Sequence, residues 1–399
     1  MPEGPCPSSA LPLPGRTQVS WLTEAPTSRS RLGSLASFPF SLWLFAFLLS
    51  GIGLLFLHST EPTKPEYLGQ TYRQTQAIVL LGLGLIPFAW VRRRTLLGLS
   101  PWIYALSCLS LLLLPFFGVT INGARRWFAL GAATIQPAEF AKPALILALA
   151  ALLRDRREDS WWAGLLLPGL VLALPFGMIA SQPDLGSALS LIPVYLAICF
   201  AAGASGRKIL LLLLLGLLAV AALYPFLHEY QKARILVWLG LDQLSGNLGA
   251  GYHLKQSLIA VGGGGLFGQG LGQGAQNVYD YLPYRSTDFL FAVIAEETGF
   301  FGSSLFVLLY AGLSLLIFRR AAQIPDRFGR LLCVGAGAFF ASHLLIHTGV
   351  CTGLLPPTGL PLPLLSYGRS SVAGAWLCMA LVAHACVRGE RSLAGGARA

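Results

Sequence analysis

Long apolar segments alternate with short polar ones along most of the chain, from residue 39 to residue 387. An α-helix rises about 1.5 Å per residue, so about 20 consecutive apolar residues can cross the hydrocarbon core of a bilayer. The predicted spans are 39–58, 75–91, 99–119, 134–153, 161–180, 186–204, 209–227, 288–318, 331–353 and 369–387. The pattern therefore predicts an all-α polytopic membrane protein with about ten transmembrane helices.

Composition and charge agree with a membrane protein. Of the 399 residues, 55% are hydrophobic and 11% are charged, whereas an ordinary soluble domain has about 25% charged residues. The net charge of +11 could indicate nucleic-acid binding, but the basic residues cluster in alternate loops, as in the cytoplasmic loops of membrane proteins. We therefore predict that both termini are cytoplasmic and that nucleic acid is not a partner. The large extracytoplasmic loop, roughly 228–287, then joins helices 7 and 8.

The chain divides into a membrane domain and two tails. Residues 1–37 are rich in Pro, Ser and Arg and lack hydrophobic periodicity, which predicts a disordered cytoplasmic tail. Residues 38–388 form the predicted transmembrane domain, and residues 389–399 form a cytoplasmic C-terminal tail. Apart from Cys6, the cysteines lie in apolar runs without the pair spacing of a zinc site or a disulfide framework, so we interpret them as packing residues.

The stretch between Gly262 and Gly302 combines a glycine-rich segment with a carboxylate at the start of an apolar helix. So many glycines allow the backbone to fold closely around a ligand or around another segment of the chain. Asp288 then opens the eighth apolar run. An ionisable residue there costs about 2.5–3.5 kcal/mol unless it faces protein or water, which indicates a functional residue. Alternatively Asp288 caps the helix, and both roles are compatible.

Adjacent arginines precede the fourth span on its outer side. Arg125 and Arg126 are followed by Trp127, and both residue types are common membrane anchors. Paired arginines are disfavoured on the outer side of a membrane, however, and guanidinium groups bind phosphate oxygens in a bidentate manner. We therefore favour a phosphate or diphosphate contact over simple anchoring.

Glu139 and Lys142 lie three residues apart on one helical face and form a predicted ion pair at hydrocarbon depth. Either the pair neutralises itself, or Lys142 turns toward a lipid-borne anion, and the sequence leaves both hypotheses open.

His343 and His347 are four residues apart, a spacing that suits a metal, but no third ligand is evident and we predict no metal site.

Two outer segments are rich in proline. Asp184 follows a Gln-Pro pair at an outer helix end, and we interpret it as a helix-start residue. Four prolines lie between Leu355 and Ser371. Proline at this density predicts a stiff, extended loop that lines protein or a cavity.

Six motifs occur in order over about residues 40–388: NGARRW, QPAEFAK, QPDLGSAL, GYHLKQSLIAVGGGGLFGQGLG, LPYRSTDFLFAVIAEETGFFG and PTGLPLPLLSYG. With these motifs the chain resembles the SEDS family of RodA and FtsW. The resemblance implies a ten-helix protein of the bacterial cytoplasmic membrane that polymerises lipid II into glycan strands during elongation or division. It also implies a class B penicillin-binding protein as the transpeptidase partner. The family's essential aspartate lies in its TDF motif, here Thr287 and Asp288, and its arginine-tryptophan motif matches Arg125, Arg126 and Trp127.

The implied reaction joins a sugar hydroxyl to a sugar carried on a lipid diphosphate. It requires a base for the hydroxyl and positive charge for the departing diphosphate. Asp288 is the candidate base, and the arginine pair, Lys142 or a divalent cation can supply the charge. One carboxylate without a partner nucleophile favours a single displacement with inversion at the donor carbon. The predicted substrate-binding residues are Arg125, Arg126, Trp127, Glu139, Lys142 and Thr287.

Several positions depart from the family pattern and affect the predicted acceptor pocket. Tyr284 and Ser286 replace the glutamate and histidine that precede TDF, and Arg369 replaces the second glycine of SYGGSS. His343 and His347 stand where the family has Gln and Asn. The TGLPLP and YQKARI segments slightly favour a RodA-type protein over an FtsW-type one.

Two other functions are compatible with the pattern. Interrupted helices and ionisable residues near the membrane also describe a transporter, here a lipid II flippase, and a scaffold that recruits a penicillin-binding protein is a further alternative. The charged residues cluster toward the outer side rather than at the midplane, which favours the glycosyltransferase.

Overall fold

The computed structural model describes residues 37–61, 68–121, 123–131, 133–155, 160–226, 229–240 and 250–396. Residues 1–36 of the predicted N-terminal tail lie outside the described residues, as does the segment 241–249 of the long connection that was predicted to be extracytoplasmic. In the described part, each of the ten predicted spans overlaps a helix, although the bounds differ by several residues, as for 75–91 and 161–180. These helices are α1 (Phe40–Thr60), α2 (Gln70–Gly84), α3 (Arg93–Phe117), α4 (Pro137–Leu153), α5 (Leu167–Ser181), α6 (Leu185–Ala201), α7 (Gly206–Leu223), α11 (Leu290–Gln323), α12 (Arg327–Cys351) and α13 (Arg369–Gly396).

The outer connection between α7 and α11 contains three more helices: α8 (Glu229–Trp238), α9 (Ala250–Gly263) and the short α10 (Ala275–Val278). By length and composition, six helices in the described ranges can cross a membrane: Phe40–Thr60, Arg93–Phe117, Trp162–Ser181, Leu290–Gln323, Arg327–Cys351 and Arg369–Arg388. The mainly helical architecture is therefore confirmed, while the count of ten crossings stays a prediction.

Helices α12 and α13 form the centre of the bundle. In α13, 89% of the most apolar window is buried, compared with 22% in α3 at the periphery. Small residues allow this close packing. At Gly374, for example, an added Cβ would lie 2.8 Å from the Glu139 carbonyl oxygen of α4, so any larger residue would push these two helices apart. The cysteines Cys108, Cys199, Cys333, Cys351, Cys378 and Cys386 are buried and unbridged, as predicted.

Three short antiparallel strands lie between α3 and α4, and the sequence analysis did not anticipate them. They are β1 (Val119–Ile121), β2 (Ala124–Leu130) and β3 (Ala133–Ile135), paired in the order β1, β2, β3. Thr120 pairs with Arg125, and Phe128 pairs with Ile135. The arginine-tryptophan motif therefore lies on β2, and the pairing is irregular there, because Val119 pairs with Trp127 while the next residue, Thr120, pairs with Arg125.

The glycine-rich segment packs against a break in α11. Gly299 interrupts this helix with φ 69° and ψ −167°, a conformation open mainly to glycine. The amide groups of Phe300 and Phe301, freed by the break, donate to the carbonyl groups of Gly265 and Leu266 at 2.8 and 3.2 Å. Of the two alternatives for the glycines, a ligand or another chain segment, the structure therefore shows contact with another segment.

Close approach requires glycine in this segment. An added Cβ at Gly264 would lie 2.0 Å from the Ala295 carbonyl oxygen, and at Gly268 it would lie 2.2 Å from that of Glu297. In return, the Gln269 and Gly270 amides donate to the Glu296 and Glu297 carbonyl oxygens at 3.0 Å. The glycine-rich segment and the broken helix thus satisfy each other's backbone groups.

Candidate active site around Asp288

Asp288 lies in the turn that leads into α11. Its amide donates to the Tyr284 carbonyl oxygen at 2.9 Å, and Tyr284 itself has φ 54°. The helix begins at Leu290, two residues later than predicted, and its N-cap residue, Phe289, makes no side-chain cap hydrogen bond. The hypothesis that Asp288 caps this helix is therefore wrong, and the carboxylate is left for another role.

Protein surrounds the Asp288 carboxylate, although the residue remains partly exposed. Gly359, with φ +70°, lies so close that an added Cβ would be 3.3 Å from Asp288 Oδ2. Asp288 precedes the spanning helix, and burial raises the pKa of its carboxyl to about 6 from an ordinary 3.8. The Thr287 hydroxyl and the charges of Arg234 and Arg126 lower that pKa. The nearby Asp184 carboxylate raises it.

The proline-rich loop before α13 forms one wall of this site, as its predicted stiffness suggested. Ser366 Oγ donates to the Thr287 carbonyl oxygen at 2.7 Å, and the Tyr367 amide donates to the Ser286 carbonyl oxygen at 2.8 Å. Gln74 of α2 supports the wall from behind. Its amide nitrogen donates to the Ser366 carbonyl oxygen at 2.9 Å, and its amide oxygen accepts from the Gly368 amide at 3.2 Å.

Gln74 was missed by the sequence analysis. Its side chain is fully buried, but it lies in the polar first turns of α2, QTYRQTQ, so no local pattern set it apart from its polar neighbours. Thr287 lies beside the aspartate with a partly exposed side chain, and its hydroxyl donates to the Tyr284 carbonyl oxygen at 3.2 Å.

The two arginines of the motif point to different places. Arg126 donates to the carbonyl oxygens of Gln182 (3.0 Å) and Pro183, and its guanidinium lies 3.8 Å from Asp184 Oδ2. Arg125 is exposed and donates to the Pro115 carbonyl oxygen at 3.0 Å. The structure therefore brings Arg126, but not Arg125, into the electrostatic environment of Asp288. Trp127 is partly buried and pairs with Val119.

Asp184 caps α6, as predicted: its Oδ1 accepts a hydrogen bond from the Ser187 amide at 3.1 Å. Its second oxygen accepts a hydrogen bond from Gln136 Nε2 at 3.3 Å and faces Arg126. Asp184 therefore also belongs to the charged surroundings of Asp288, a role that its position in the sequence did not indicate.

Arg234 is a second cation near Asp288 that the sequence analysis did not assign to the site. It lies in α8 and donates to the Pro357 carbonyl oxygen at 2.9 Å, which ties the outer connection to the proline-rich loop. Its positive charge lowers the pKa of Asp288, although Arg234 lies more than 50 residues earlier in the chain. The signal in the sequence was the YQKARI segment, which contains Arg234 and which the sequence analysis used only to compare RodA-type with FtsW-type proteins.

Glu139 and Lys142 form the predicted ion pair, with Nζ and Oε1 2.7 Å apart and both side chains 1% exposed. Lys142 Nζ also donates to His343 Nε2 at 3.1 Å, and His343 Nδ1 donates to the Phe339 carbonyl oxygen at 2.8 Å. The pair is thus enclosed between α4 and α12, which agrees with the hypothesis that Glu139 and Lys142 neutralise each other.

His343 is not free to bind a metal. Both of its ring nitrogens are engaged, and the described residues contain no group of three or more metal-ligating side chains.

An apolar cavity of about 440 Å³ opens between α3, α4 and α13. Residues that line it include Phe88, Ile103, Leu106, Phe140, Leu147 and Leu381, and at one end the strands contribute Phe128 and Ile135. Phe128 follows Arg126 by two residues on β2, so this end of the cavity is close in the chain to one of the cations that act on Asp288.

Comparison with known proteins gives consistent matches over most of the chain. Residues 40–390 match the model of the FtsW, RodA and SpoVE family, described as cell cycle protein. Stage V sporulation protein E of Bacillus subtilis is 35% identical over 82% of this chain and 91% of its own length. Peptidoglycan glycosyltransferase MrdB of Escherichia coli K12 is also 35% identical, over 79% of this chain and 86% of its own length.

Solved structures match as well. A chain from the structure described as "Structural coordination of polymerization and crosslinking by a peptidoglycan synthase complex" is 32% identical, with a TM-score of 0.75. The match covers 88% of this chain and 97% of that one. The crystal structure of the rod shape determining protein RodA of Thermus thermophilus is 32% identical, with a TM-score of 0.65 over 88% of this chain and 96% of that one.

Proposed function

Because this chain belongs to the FtsW, RodA and SpoVE family of cell cycle proteins, we propose that it is a peptidoglycan glycosyltransferase that polymerises lipid II, with Asp288 as the general base. It is a multi-pass protein of the bacterial cytoplasmic membrane. MrdB carries the name of the same activity. The observation that carries the mechanistic proposal is the position of Asp288: a partly exposed carboxylate with a pKa near neutrality, flanked by the cations Arg126 and Arg234.

Asp288 performs the proton transfer. Its carboxylate accepts the proton of the acceptor sugar hydroxyl as the oxygen of that hydroxyl forms a bond to the anomeric carbon of the donor. The bond from this carbon to the diphosphate oxygen breaks, and the electron pair leaves with the lipid diphosphate. Since a single carboxylate acts and no covalent intermediate is formed, the displacement inverts the donor carbon.

Arg126 and Arg234 stabilise the negative charge that develops on the diphosphate. Arg126 is held in place by backbone carbonyl groups at Gln182 and Pro183, so its guanidinium is oriented before substrate binds. Arg125, which is exposed and directed toward Pro115, acts earlier by attracting the anionic substrate. Lys142 takes no part in this scheme, because its charge is enclosed in the pair with Glu139.

The lipid tail of the donor occupies the apolar cavity between α3, α4 and α13. Its lining is apolar apart from Ser107 and Ser110, which suits hydrocarbon chains. With the tail beside Phe128, the diphosphate lies near Arg126, which is two residues away on β2. The partner is a class B penicillin-binding protein, and the structural relative from a peptidoglycan synthase complex supports this assignment.

The test is Asp288→Asn in the full-length protein, purified with its partner and supplied with lipid II. Asparagine keeps the size of the side chain and removes the titratable carboxylate. We expect normal folding and partner binding but a loss of polymerisation of about a hundredfold or more, the scale of general-base removal. Asp184→Asn is the matched control and should reduce stability more than turnover, because Asp184 is a helix cap.

Full glycan synthesis by Asp288→Asn would eliminate this residue as the base. A flippase or a scaffold, the two alternative functions, would form no polymer in detergent, where a single compartment exists. Wild-type protein that binds lipid II without extending it would therefore contradict the glycosyltransferase itself.

A further inference from the structure

The C-terminal part of α12 lies beside the segment that carries Asp288. Cys351, in its last turn, has its sulfur 3.9 Å from the Asp288 carbonyl oxygen. One turn earlier, His347 is 1% exposed and contacts two separate backbone segments. The end of this helix thus reaches both sides of the turn that holds the aspartate.

His347 bridges the start of α11 and the proline-rich loop. The Phe291 amide donates to His347 Nε2 at 3.3 Å, and His347 Nδ1 lies 2.9 Å from the Leu360 carbonyl oxygen. Because Nε2 accepts a hydrogen bond, the ring proton resides on Nδ1 and is donated to Leu360. The ring is therefore neutral, and both of its nitrogens are used.

Both partners of His347 are next to Asp288. Phe291 is the second residue of α11, and its amide belongs to the first turn, where amide groups have no acceptor within the helix. It lies three residues after Asp288. Leu360 directly follows Gly359, the residue that closes over Asp288 Oδ2. One side chain thus joins the segment that carries the carboxylate to the segment that covers it.

We propose that His347 is a positioning residue for the reaction: it fixes the distance between the Asp288 turn and the Gly359–Leu360 cover, and so sets the orientation and hydration of the Asp288 carboxylate. This inference rests on the proposed role of Asp288 as the base. A neutral imidazole suits the task, since it donates at one nitrogen and accepts at the other across a fixed, rigid ring.

The charged groups around the two residues are few. Arg234, Arg126 and Asp184 act on Asp288, while His343, one turn earlier along α12, lies near His347 and contacts Lys142. If the cover separates from the Asp288 turn, water reaches the carboxylate, its desolvation decreases and its pKa falls toward the ordinary value. Loss of a positioning residue therefore changes the pH profile as well as the rate.

The experiment compares His347→Leu, His347→Asn and His347→Gln in full-length protein purified with its partner, using lipid II as substrate. Asparagine retains a donor near Nδ1 and can keep the Leu360 bond, whereas glutamine reaches the position of Nε2 and can keep the Phe291 bond. Leucine keeps neither. We expect His347→Leu to lower kcat by about 10- to 100-fold, the cost of misplacing a catalytic group by about 1 Å, with little change in KM.

In the same variant we expect the acid limb of the kcat profile to move to lower pH, and we expect intermediate rates for the asparagine and glutamine variants. His384→Leu is the matched control, because His384 is also buried, in α13, and should retain the wild-type profile. A His347→Leu protein with wild-type kcat would overturn the proposal. So would a loss of rate that only follows the loss of folded protein, with the acid limb unmoved.

Asp288→Asn assayed in parallel separates this inference from the proposed function. If Asp288→Asn is inactive and His347→Leu is fully active, Asp288 is the base but His347 does not position it. If Asp288→Asn is active, Asp288 is not the base, and the inference about His347 fails with that role, whereas the glycosyltransferase activity itself fails only if the wild-type protein forms no polymer.

Discussion

The hydroxyl of Ser366 donates to the carbonyl oxygen of Thr287 at 2.7 Å, which holds the loop before the last helix against the residue that precedes Asp288. The same hydroxyl accepts a hydrogen bond from the Leu362 amide at 2.9 Å, so the loop is fixed to itself and to the Asp288 turn by one side chain. Two segments almost 80 residues apart in the chain thereby form one rigid site. The consequences for Asp288 can be measured.

Polymerisation should depend on pH through Asp288. Burial raises the pKa of this carboxyl to about 6, and a general base acts only when it is deprotonated. We expect kcat to rise tenfold per pH unit below about 6 and to level off above about 7. The measurement is the initial rate of lipid II polymerisation between pH 4.5 and 8.5. A flat profile across pH 6 would contradict the assignment.

The same pKa shift has an opposite effect on stability. The folded pKa lies above the ordinary 3.8, so the contribution of Asp288 to stability is complete below about pH 4 and is lost as the pH rises through 6. Asp288→Asn should therefore have a higher Tm than the wild type at pH 7.5 and a similar Tm at pH 4. Thermal unfolding in detergent tests this, and equal Tm values at both pH values would argue against a desolvated carboxyl.

The two neighbouring arginines should behave differently. Arg126 is anchored to the turn at Gln182 and Pro183, and charge-assisted hydrogen bonds contribute about 1.5–3 kcal/mol each. Arg126→Gln should therefore lower kcat and also destabilise this turn. Arg125→Gln, on the exposed face, should mainly raise KM for lipid II without loss of stability.

Arg154→Gln provides the control, because Arg154 is a partly exposed arginine paired with Asp155 in an inner loop. It should leave both kinetic constants unchanged. If a well-folded protein carrying both Arg125→Gln and Arg126→Gln polymerises lipid II normally, the donor diphosphate is held by other residues.

Replacement of Gly268 tests the contact between the glycine-rich segment and the broken helix. Gly268→Ala places a side chain at φ +83° and 2.2 Å from a backbone oxygen, whereas Gly272→Ala, at φ +69°, meets nothing within 4 Å. Both variants should lose about 1–2 kcal/mol from the left-handed backbone conformation. Only Gly268→Ala should lose more than this and show a lower Tm than Gly272→Ala in detergent. Equal Tm values would mean that the segment does not pack on α11 in the membrane protein.

Local patterns in the sequence were sufficient for most of the helices. A continuous apolar run must be helical within a bilayer, because each backbone group needs a partner inside its own segment, so runs such as 331–353 identified their helices without knowledge of the neighbours. The cap at Asp184 was also predicted, since capping involves residues only three positions apart. Asp288 was identified for a similar local reason, an ionisable group at the start of an apolar run.

The resemblance to the family gave the activity, and the outward position of Asp288 stays a prediction from the distribution of Lys and Arg. The strands β1 to β3 were not predicted, because segments of three to seven residues are too short for an alternating pattern to be distinguished from a loop. For the same reason, the sequence placed Arg125 and Arg126 together, whereas the structure directs Arg125 toward Pro115 and Arg126 toward Gln182.

Only the tertiary structure decided which residues surround Asp288. Gln74, Arg234 and His347 come from three different helices, and their contacts depend on how the helices pack rather than on any local pattern. The sequence likewise could not show whether Lys142 is enclosed with Glu139 or is available to bind an anion. The burial of a charge depends on neighbours such as His343, which lies 201 residues away in the chain. The sequence by itself determined the membrane helices and the candidate base, since these depend on hydrophobicity and charge along the chain. The surroundings of that base depend on long-range packing, and only the folded chain specifies them.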